Sequence, residues 1–539
     1  MKVTAIHLLV IKLLGTIVLG FLLLLVPQNN IQFVLFGLLP LCIFCFLALQ
    51  GNLKINLTKA DLAMLGFLLS CFLSYLWAYN GSLIWTQAFG WLGLFCVMLA
   101  FRFLDKDYGI QSYLHVMFLY FFVIVMIHHL SAVRFGVEVI SPDWSAFMAK
   151  NGNQTACYLL TLFPFLFYYS STNAFVSFLK LTAIILLANL VIIVGAKWGL
   201  VALFLLVGYH FWVTNKNKLL AVSAVLIVLA LLIYLIEIFV PGSFAFLPSP
   251  LDQPRVALIG LSMDVFSAHP LLGVGLGNWH TQAYATDLSA LPSFNDPDAF
   301  VRHNSYNLFF QLLSEIGLLG TLCFLAFLVW SVGGLVRQKD KFTDFEKAGF
   351  AAFLTYLFCS YFYKGVNFNE YSFSGTELLA FVSLGVLSKR FAVTSIGIPR
   401  WLVILLSFSV TIWFSGTLLY WHQYNACQKS VSVDTQEETL EKLEALYHPV
   451  FRTKHNFQNS LELKLAEAHR AAGNIDQAQV YYEKMLIAEP YNCDLLISYA
   501  DYLRSINTPA AKIEPYLNRV ADIQPNSRVV QQRKELLSQ

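Results

Sequence analysis

The chain has 539 residues, of which 58% are hydrophobic, 15% aromatic and only 12% charged. An ordinary soluble domain carries about 25% charged residues, so this composition excludes a soluble globular enzyme. The 35 basic and 32 acidic residues leave a net charge of +3, which is too balanced for a nucleic-acid-binding protein. The function is therefore to be sought in a membrane.

Apolar runs long enough to cross a bilayer follow one another along the chain. A spanning helix needs about 20 mainly apolar residues. The runs centre on residues 5–26, 31–50, 61–79, 83–101, 112–133, 154–171, 177–196, 199–213, 219–240, 304–330, 348–363, 375–388 and 401–420. The first run lacks a convincing cleavage site and is predicted to be a retained helix rather than a signal peptide. The sequence thus predicts an all-α polytopic membrane protein with about 12 to 13 transmembrane helices.

Basic residues recur in alternate connections between these runs. Loops rich in Lys and Arg face the cytoplasm, which predicts a cytoplasmic N-terminus. An odd number of helices then places the C-terminal region outside, in the periplasm of a bacterium with two membranes, and the protein in its inner membrane. The basic residues that set this orientation are Lys2, Lys54, Lys59, Arg102, Lys106, Lys216, Lys218, Arg337, Lys339, Lys341, Lys347, Lys389, Arg390 and Arg400.

The composition becomes that of a soluble domain near Tyr424. We therefore predict a membrane domain at 1–421 and a periplasmic helical domain at 422–539. A tetratricopeptide-like pattern of small, turn, aromatic and proline positions at Ala466, Gly473, Ala478, Tyr482 and Pro490 recurs 34 or 35 residues later at Ala500, Tyr516 and Pro525. Such repeats usually bind peptide or protein, which favours a protein partner here. Spacing alone leaves open whether Cys427 and Cys493 pair.

Six basic residues fall on the predicted outer side, where the orientation rule gives no reason for them: Arg134, Lys150, Lys197, Arg255, Arg302 and Lys364. Local ion pairs or contacts with lipid headgroups are one explanation for any single residue. Six of them on one face favour an anion site. For a membrane protein, the simplest anion approached from the outer leaflet is a lipid-linked phosphate or diphosphate.

The longest outer connection, 241–302, contains the sequence His269-Pro-Leu-Leu-Gly-Val-Gly-Leu-Gly-Asn-Trp279. Loops of this length are usually functional. The glycine pattern follows no predicted strand, which argues against a dinucleotide loop. Its remaining interpretations are tight backbone packing, or amides turned toward a phosphate.

The helix predicted to begin near His303 carries a broad polar face. A 100° step places His303, Asn307 and Ser314 on one stripe, and Asn304, Gln311 and Glu315 on the adjacent one. Polar groups at membrane depth tend to face a cavity or a partner, so this face is predicted to line a site. Glu315 lies several turns from His303, which favours a structural partner for a buried basic or amide group over a catalytic role.

His303 is the candidate general base. It lies at the predicted membrane boundary beside Arg302, whose positive charge favours the neutral form of the imidazole. A zinc site formed by His269, His280 and His303 with Asp287, Asp296 or Asp298 is an alternative. Its irregular spacing argues against it, and we predict no metal.

These residues resemble the O-antigen ligase superfamily, which includes O-antigen ligases, O-antigen polymerases and bacterial protein O-oligosaccharyltransferases. The resemblance lies in Arg255, the stretch His269–Trp279, and His303-Asn-Ser-Tyr-Asn running to Glu315-Ile-Gly317. It extends over about 150–330 and includes Asn151-Gly152-Asn153 and Lys197-Trp198-Gly199. The resemblance implies a membrane glycosyltransferase architecture of the GT-C type.

It also implies metal-independent and cofactor-independent glycosyl transfer from an undecaprenyl-diphosphate-linked saccharide. The family's outer-face histidine corresponds to His303, and its two diphosphate-binding basic residues correspond to Lys197 and Arg255, with Arg302 beside them. The family usually has Arg where this sequence has Lys197. Lysine keeps the positive charge but lacks the forked pair of donors with which arginine binds a phosphate. Supporting roles are expected for Asn153, Asn304, Tyr306, Asn307 and Glu315.

The acceptor is expected to be a hydroxyl on lipid A core, as in an O-antigen ligase. Another glycan chain or a protein hydroxyl would use the same donor chemistry and stays open. A transporter of a lipid-linked anion is the non-enzymatic alternative, but it would place ionisable pairs near the membrane midplane. A periplasmic scaffold would need only one spanning helix.

Overall fold

The computed structural model of the chain is almost entirely helical, which confirms the predicted all-α polytopic membrane architecture. Within the part that it describes, four stretches are long and apolar enough to cross a membrane: Lys59–Leu76, Leu83–Lys106, Leu308–Val336 and Trp401–Tyr424. The structure describes residues 31–48, 54–135, 152–169, a few positions between 174 and 187, 197–214, 253–283, 305, 307–362, 375–391, 393–430, 436–447, 461–523 and 528–538. The predicted helices at 5–26 and 219–240 lie outside these residues, so the total number of spans stays a prediction.

The helices that are described follow the predicted apolar runs closely. They are α1 (Ile31–Ala48), α2 (Lys59–Leu73), α3 (Gly81–Tyr108), α4 (Gln111–Phe135), α5 (Gly152–Phe167), α6 (Lys197–Thr214), α7 (Gln253–Ala268), α8 (Trp279–Ala283), α9 (Leu308–Val336), α10 (Asp344–Phe362), α11 (Gly375–Ser388) and α12 (Arg400–Ser430). Helices α7 and α8 lie within the predicted connection 241–302. The sequence did not predict α7, because Arg255, Ser262 and Asp264 make it too polar to stand out as an apolar run.

One end of the helix bundle is held by buried ion pairs. The two terminal nitrogens of Arg102, on α3, each donate to the Asp61 carboxylate at 2.6 Å, and the Arg102 Nε donates to Ser388 Oγ at 2.6 Å. Arg390 pairs with Glu346 at 2.6 Å. The side chains of Asp61 and Glu346 have no exposed surface. These pairs gather the ends of α3 and α11 and the starts of α2 and α10 in one region, which we call the basic end.

A short antiparallel ribbon also lies at the basic end. Strand β1 (Lys54–Thr58) pairs with β2 (Val393–Pro399), with Lys54 opposite Pro399 and Thr58 opposite Val393. The two segments were predicted to be loops on the same side of the membrane. Their pairing brings together two of the basic connections that the orientation rule assigned to one side.

The opposite end of the bundle, which we call the motif end, is where Asn80, Asn278 and Asn307 lie. Helix α2 ends there, and α3 and α9 begin there. Helices α5 and α6 also begin there, because their last turns reach the basic end: the Phe165 carbonyl lies 2.7 Å from His115 Nε2, near the start of α4, and the Trp212 carbonyl accepts a bond from Lys339.

Helix α12 connects the bundle to the C-terminal region without a break at residue 421. Its Trp413 stacks on Phe89 of α3, with ring centroids 5.0 Å apart, and α12 then continues to Ser430 at the motif end. There Tyr420, Tyr424 and Cys427 form an apolar cluster with the tail residues Leu443, Leu461 and Leu465. The tail is therefore packed directly on the end of a bundle helix.

The tail consists of paired helices: α13 (Gln436–Leu446), α14 (Leu461–Ala471), α15 (Ile475–Ala488), α16 (Cys493–Ser505), α17 (Ala510–Ile523) and α18 (Arg528–Ser538). Gly473, between α14 and α15, and Asn507, one predicted period later between α16 and α17, both have a left-handed backbone, with φ of 79° and 56°. Cys427 and Cys493 lie in different apolar clusters. The tetratricopeptide assignment and the division at residue 421 stay predictions.

The shared location of the motif and the tail predicts a labelling pattern. In a variant without the nine native cysteines, Ser267→Cys before the motif and Ser505→Cys in the tail should both react with a membrane-impermeant maleimide in intact cells. Asp340→Cys at the basic end should react only after permeabilisation, because basic loops face the cytoplasm. All three positions are exposed. The reverse pattern would invert the orientation, and different labelling of Ser267→Cys and Ser505→Cys would contradict their common side.

Candidate functional site

The motif segment 269–279 packs against a break in helix α9. At Gly317 the helix has φ 65° and ψ −169°. This break prevents the two regular helical bonds from Leu318 to Ser314 and from Leu319 to Glu315. The break leaves two carbonyls and two amides of α9 without helical partners, and the motif segment bonds all four. The Val274 amide donates to the Ser314 carbonyl at 3.0 Å, and the Gly275 amide donates to the Glu315 carbonyl at 2.7 Å.

The bonds in the other direction complete the exchange. The Leu318 amide donates to the Pro270 carbonyl at 2.9 Å, and the Leu319 amide to the Leu271 carbonyl at 3.3 Å. Buried backbone groups without a partner are costly, and lipid offers them none. The break and the motif segment therefore require each other.

Three glycines allow this close approach. A Cβ atom on Gly273 would lie 2.4 Å from the Glu315 carbonyl group, and one on Gly317 would lie 2.4 Å from the Leu271 carbonyl group. Gly275, with φ 102°, would place a Cβ 2.4 Å from Ala78 Cβ. The glycines thus serve tight backbone packing, which is one of the two interpretations that the sequence allowed.

The amides of the motif are engaged within the protein rather than presented to a ligand. Besides Val274 and Gly275, the Leu276 amide donates to Ser74 Oγ at 3.1 Å and the Asn278 amide to the Gly275 carbonyl at 3.0 Å. The alternative in which these amides bind a phosphate has no support in this geometry.

Glu315 is buried beside the break, where its exposed fraction is 2%. Its Oε1 accepts bonds from Gln311 Nε2 at 3.1 Å and from the Trp279 amide at 3.4 Å. The donors around this carboxylate are thus amides, of the kind that the sequence interpretation favoured for it. Its role in a reaction stays a prediction.

Asn278 joins the motif to the junction between α2 and α3. Its Oδ1 accepts from the Asn80 amide at 2.8 Å, while its Nδ2 donates to the Asn80 carbonyl at 3.1 Å. Sequence reasoning missed Ser74, Asn80 and Ser262, the last of which accepts a bond from Trp279 Nε1 at 2.9 Å. Small polar residues at helix ends are too common to single these three out.

Asn307 caps helix α9 and does not lie within it. Its Oδ1 accepts from the amides of Phe309 and Phe310 at 3.0 and 3.2 Å, which is the usual arrangement of an N-cap asparagine. The prediction of a helix beginning near His303 was therefore wrong by about one turn. Gln311, Ser314 and Glu315 remain on the buried part of α9.

The structure describes the other predicted site residues only in part. Lys197 is the first residue of α6, Asn153 the second residue of α5, and Arg255 lies in the first turn of α7. The backbone thus places Lys197 and Asn153 at the motif end, while the side chains of all three lie outside the described part. His303, Arg302, Asn304 and Tyr306 lie wholly outside it, as do Lys150 and Lys364.

The zinc alternative is not tested by the described residues. Among them, no group of three or more His, Cys, Asp or Glu side chains is arranged to hold a metal ion. His303, Asp287, Asp296 and Asp298 lie outside this part of the chain, and His269 is exposed at the end of α7.

Residues 182–325 match the family model described as O-Antigen ligase. The matched region contains Lys197, Arg255, the motif segment, His303 and Glu315, and it confirms the resemblance to the O-antigen ligase superfamily. Members of this family are glycosyl-transferring enzymes. No curated protein matches the chain. The C-terminal helices lie outside the matched region.

The break in α9 predicts different effects for two glycines of the same helix. Gly317→Ala should lower the melting temperature and the yield of monodisperse protein, because its backbone conformation costs other residues about 1–3 kcal/mol and its Cβ would meet the Leu271 carbonyl group at 2.4 Å. Gly333→Ala is the control, since a Cβ there meets no atom within 4 Å. Melting curves of the purified proteins in detergent provide the measurement. Equal melting temperatures would contradict this account of the break.

Proposed function

We propose that this protein is a glycosyltransferase of the bacterial inner membrane. It transfers a saccharide from undecaprenyl diphosphate to an acceptor hydroxyl on the periplasmic side. The observation that carries the proposal is the match of residues 182–325 to O-antigen ligase. The helix termini support it, because α6 and α9 begin at the end of the bundle where the motif segment lies.

The leaving diphosphate is bound by Lys197 and Arg255, with Arg302 beside them. Negative charge grows on the diphosphate as the sugar–phosphate bond breaks, and positioned cations stabilise that charge most in the transition state. Lys197 is suited to this role because it stands at the N-terminus of α6, where the helix dipole also favours an anion.

His303 acts as the general base. It takes a proton from the acceptor hydroxyl as the oxygen attacks the anomeric carbon from the side opposite the diphosphate. The configuration at that carbon is inverted. The polyprenyl diphosphate is already an activated leaving group, so the reaction needs no nucleotide, metal or cofactor.

Lipid A core is the first acceptor candidate, because the matched family is described as O-Antigen ligase. A protein hydroxyl is the second candidate. The tail favours it, since paired helices that usually bind polypeptides are packed on α12 at the motif end. Mass spectrometry of lipopolysaccharide and of periplasmic proteins, with and without the gene, distinguishes the two. A new polymer on the lipid carrier alone would indicate a polymerase.

His303→Ala should abolish transfer, by at least about 100-fold in kcat, because the acceptor proton then has no base to receive it. The dissociation constant of a lipid-diphosphate analogue and the melting temperature should stay at the wild-type values. Turnover by purified protein, measured beside analogue binding, tests this. Turnover close to that of the wild type would remove His303 from the mechanism.

Charge reversal at Lys197 or Arg255 should weaken analogue binding by about ten- to a hundredfold, since a hydrogen bond to a charged group contributes about 1.5–3 kcal/mol. Lys197→Arg should retain or improve both binding and turnover, because it restores the forked donor. Arg134→Glu is the matched control, as Arg134 lies near the end of α4 at the same end of the bundle. Unchanged affinity in both Lys197→Glu and Arg255→Glu would contradict the diphosphate site.

A further inference from the structure

Trp279 contacts α7, which bears Arg255, and α9, which follows His303 in the chain. Its indole Nε1 donates to Ser262 Oγ on α7 at 2.9 Å, and its backbone amide donates to Glu315 Oε1 on α9 at 3.4 Å. Trp279 and Ser262 are each at most 1% exposed. The bridge between α7 and α9 therefore lies entirely inside the protein.

The α7 side of this bridge is tied to the backbone position of Arg255. Ser262 follows Arg255 by seven residues, close to two helical turns, so the two positions share one face of α7 about 10 Å apart. The Ser262 hydroxyl donates its own hydrogen to the Leu258 carbonyl at 2.8 Å. That bond fixes the direction of the oxygen lone pairs, one of which receives the indole N–H.

The α9 side leads by hydrogen bonds toward His303. Glu315 Oε1 also accepts from Gln311 Nε2 at 3.1 Å, and the Gln311 amide donates to the Asn307 carbonyl at 3.0 Å. The same Asn307 carbonyl accepts from Ser305 Oγ at 2.8 Å. This path runs from Trp279 to Ser305, which follows His303 in the chain with only Asn304 between them.

We propose that Trp279, held by Ser262 and Glu315, is a positioning residue that sets the distance between the donor-binding helix α7 and the segment carrying the base. The proposal rests on the proposed function. A base and a leaving-group site on separate elements must be held to within about 0.5 Å of the productive geometry. Apolar packing alone allows small shifts between helices, whereas two directed hydrogen bonds from one rigid residue restrict them.

The test separates the indole N–H from the bulk of the side chain. Trp279→Phe keeps an aromatic ring and loses the bond to Ser262, and Ser262→Ala loses the same bond from the other side. Each should lower kcat by about tenfold, equivalent to about 1.4 kcal/mol, and leave the dissociation constant of the lipid-diphosphate analogue within about twofold. The double variant should be no slower than either single one, because both remove one interaction. Ser262→Thr, which keeps a hydroxyl, should restore kcat.

Trp91→Phe is the matched control. Trp91 is also 1% exposed and packs against Phe67 and Phe324 in the bundle core. Trp91→Phe should lower the melting temperature as much as Trp279→Phe does, and its kcat should equal the wild-type value. A kcat of Trp279→Phe equal to that of Trp91→Phe would overturn the proposal. Additive losses in the double variant would overturn it as well.

The α9 side has its own pair of variants. Glu315→Gln keeps an oxygen that can accept from the Trp279 amide and should retain more kcat than Glu315→Ala. Equal kcat in the two, with both folded, would contradict the role given to this contact. Failure of the proposed function is distinguishable, because His303→Ala would then remain active. If His303→Ala is inactive and Trp279→Phe has the kcat of the control, only the positioning role fails.

Discussion

At Gly317, helix α9 gives up two of its own hydrogen bonds, and the backbone of the motif segment supplies their replacements. Four backbone groups are involved, and each would cost about 1–3 kcal/mol if left buried without a partner. The three glycines of this contact have no room for a Cβ. The motif is thus first a structural device. In the proposed reaction it acts indirectly, because it joins α7, which bears Arg255, to α9, which follows His303 in the chain.

The two ends of the bundle differ in how their charged residues are placed. At the basic end, Arg102 and Arg390 are matched by Asp61 and Glu346, which are fully buried. Removing one partner of such a pair destabilises the fold by far more than the intact pair stabilises it. We therefore assign these charges a structural role. At the motif end, Lys197 is the first residue of α6, a position where the helix dipole favours an anion, and this supports the proposal that it binds the donor diphosphate.

Much of the fold could be predicted, because lipid imposes long apolar runs whose ends are marked by charge. The bounds of α3, α6 and α11 differ from the predicted runs by only a few residues at most ends. The break in α9 could not be predicted, because Glu315-Ile-Gly317 continues an apolar helical pattern and its partner lies in a distant segment. The start of α9 was placed too early for a related reason: Asn307 is as compatible with a polar helix face as with a cap. The motif, Glu315 and Asn307 were found from the sequence, but the residues that hold them, Ser74, Asn80 and Ser262, act through contacts between helices that no spacing reveals.

In the proposed function, the tail constrains the acceptor in a way that the membrane domain alone does not. Helix α12 passes from the basic end to the tail as one element, and Tyr420, Tyr424 and Cys427 bury its last turns against α13 and α14. A linker of polar or glycine-rich residues would let the tail move independently, whereas a continuous packed helix transmits its position. A macromolecule bound to the tail is consequently presented at the motif end at a fixed distance. In the proposed reaction, whose donor lies in the membrane plane, this arrangement would raise the local concentration of a large acceptor.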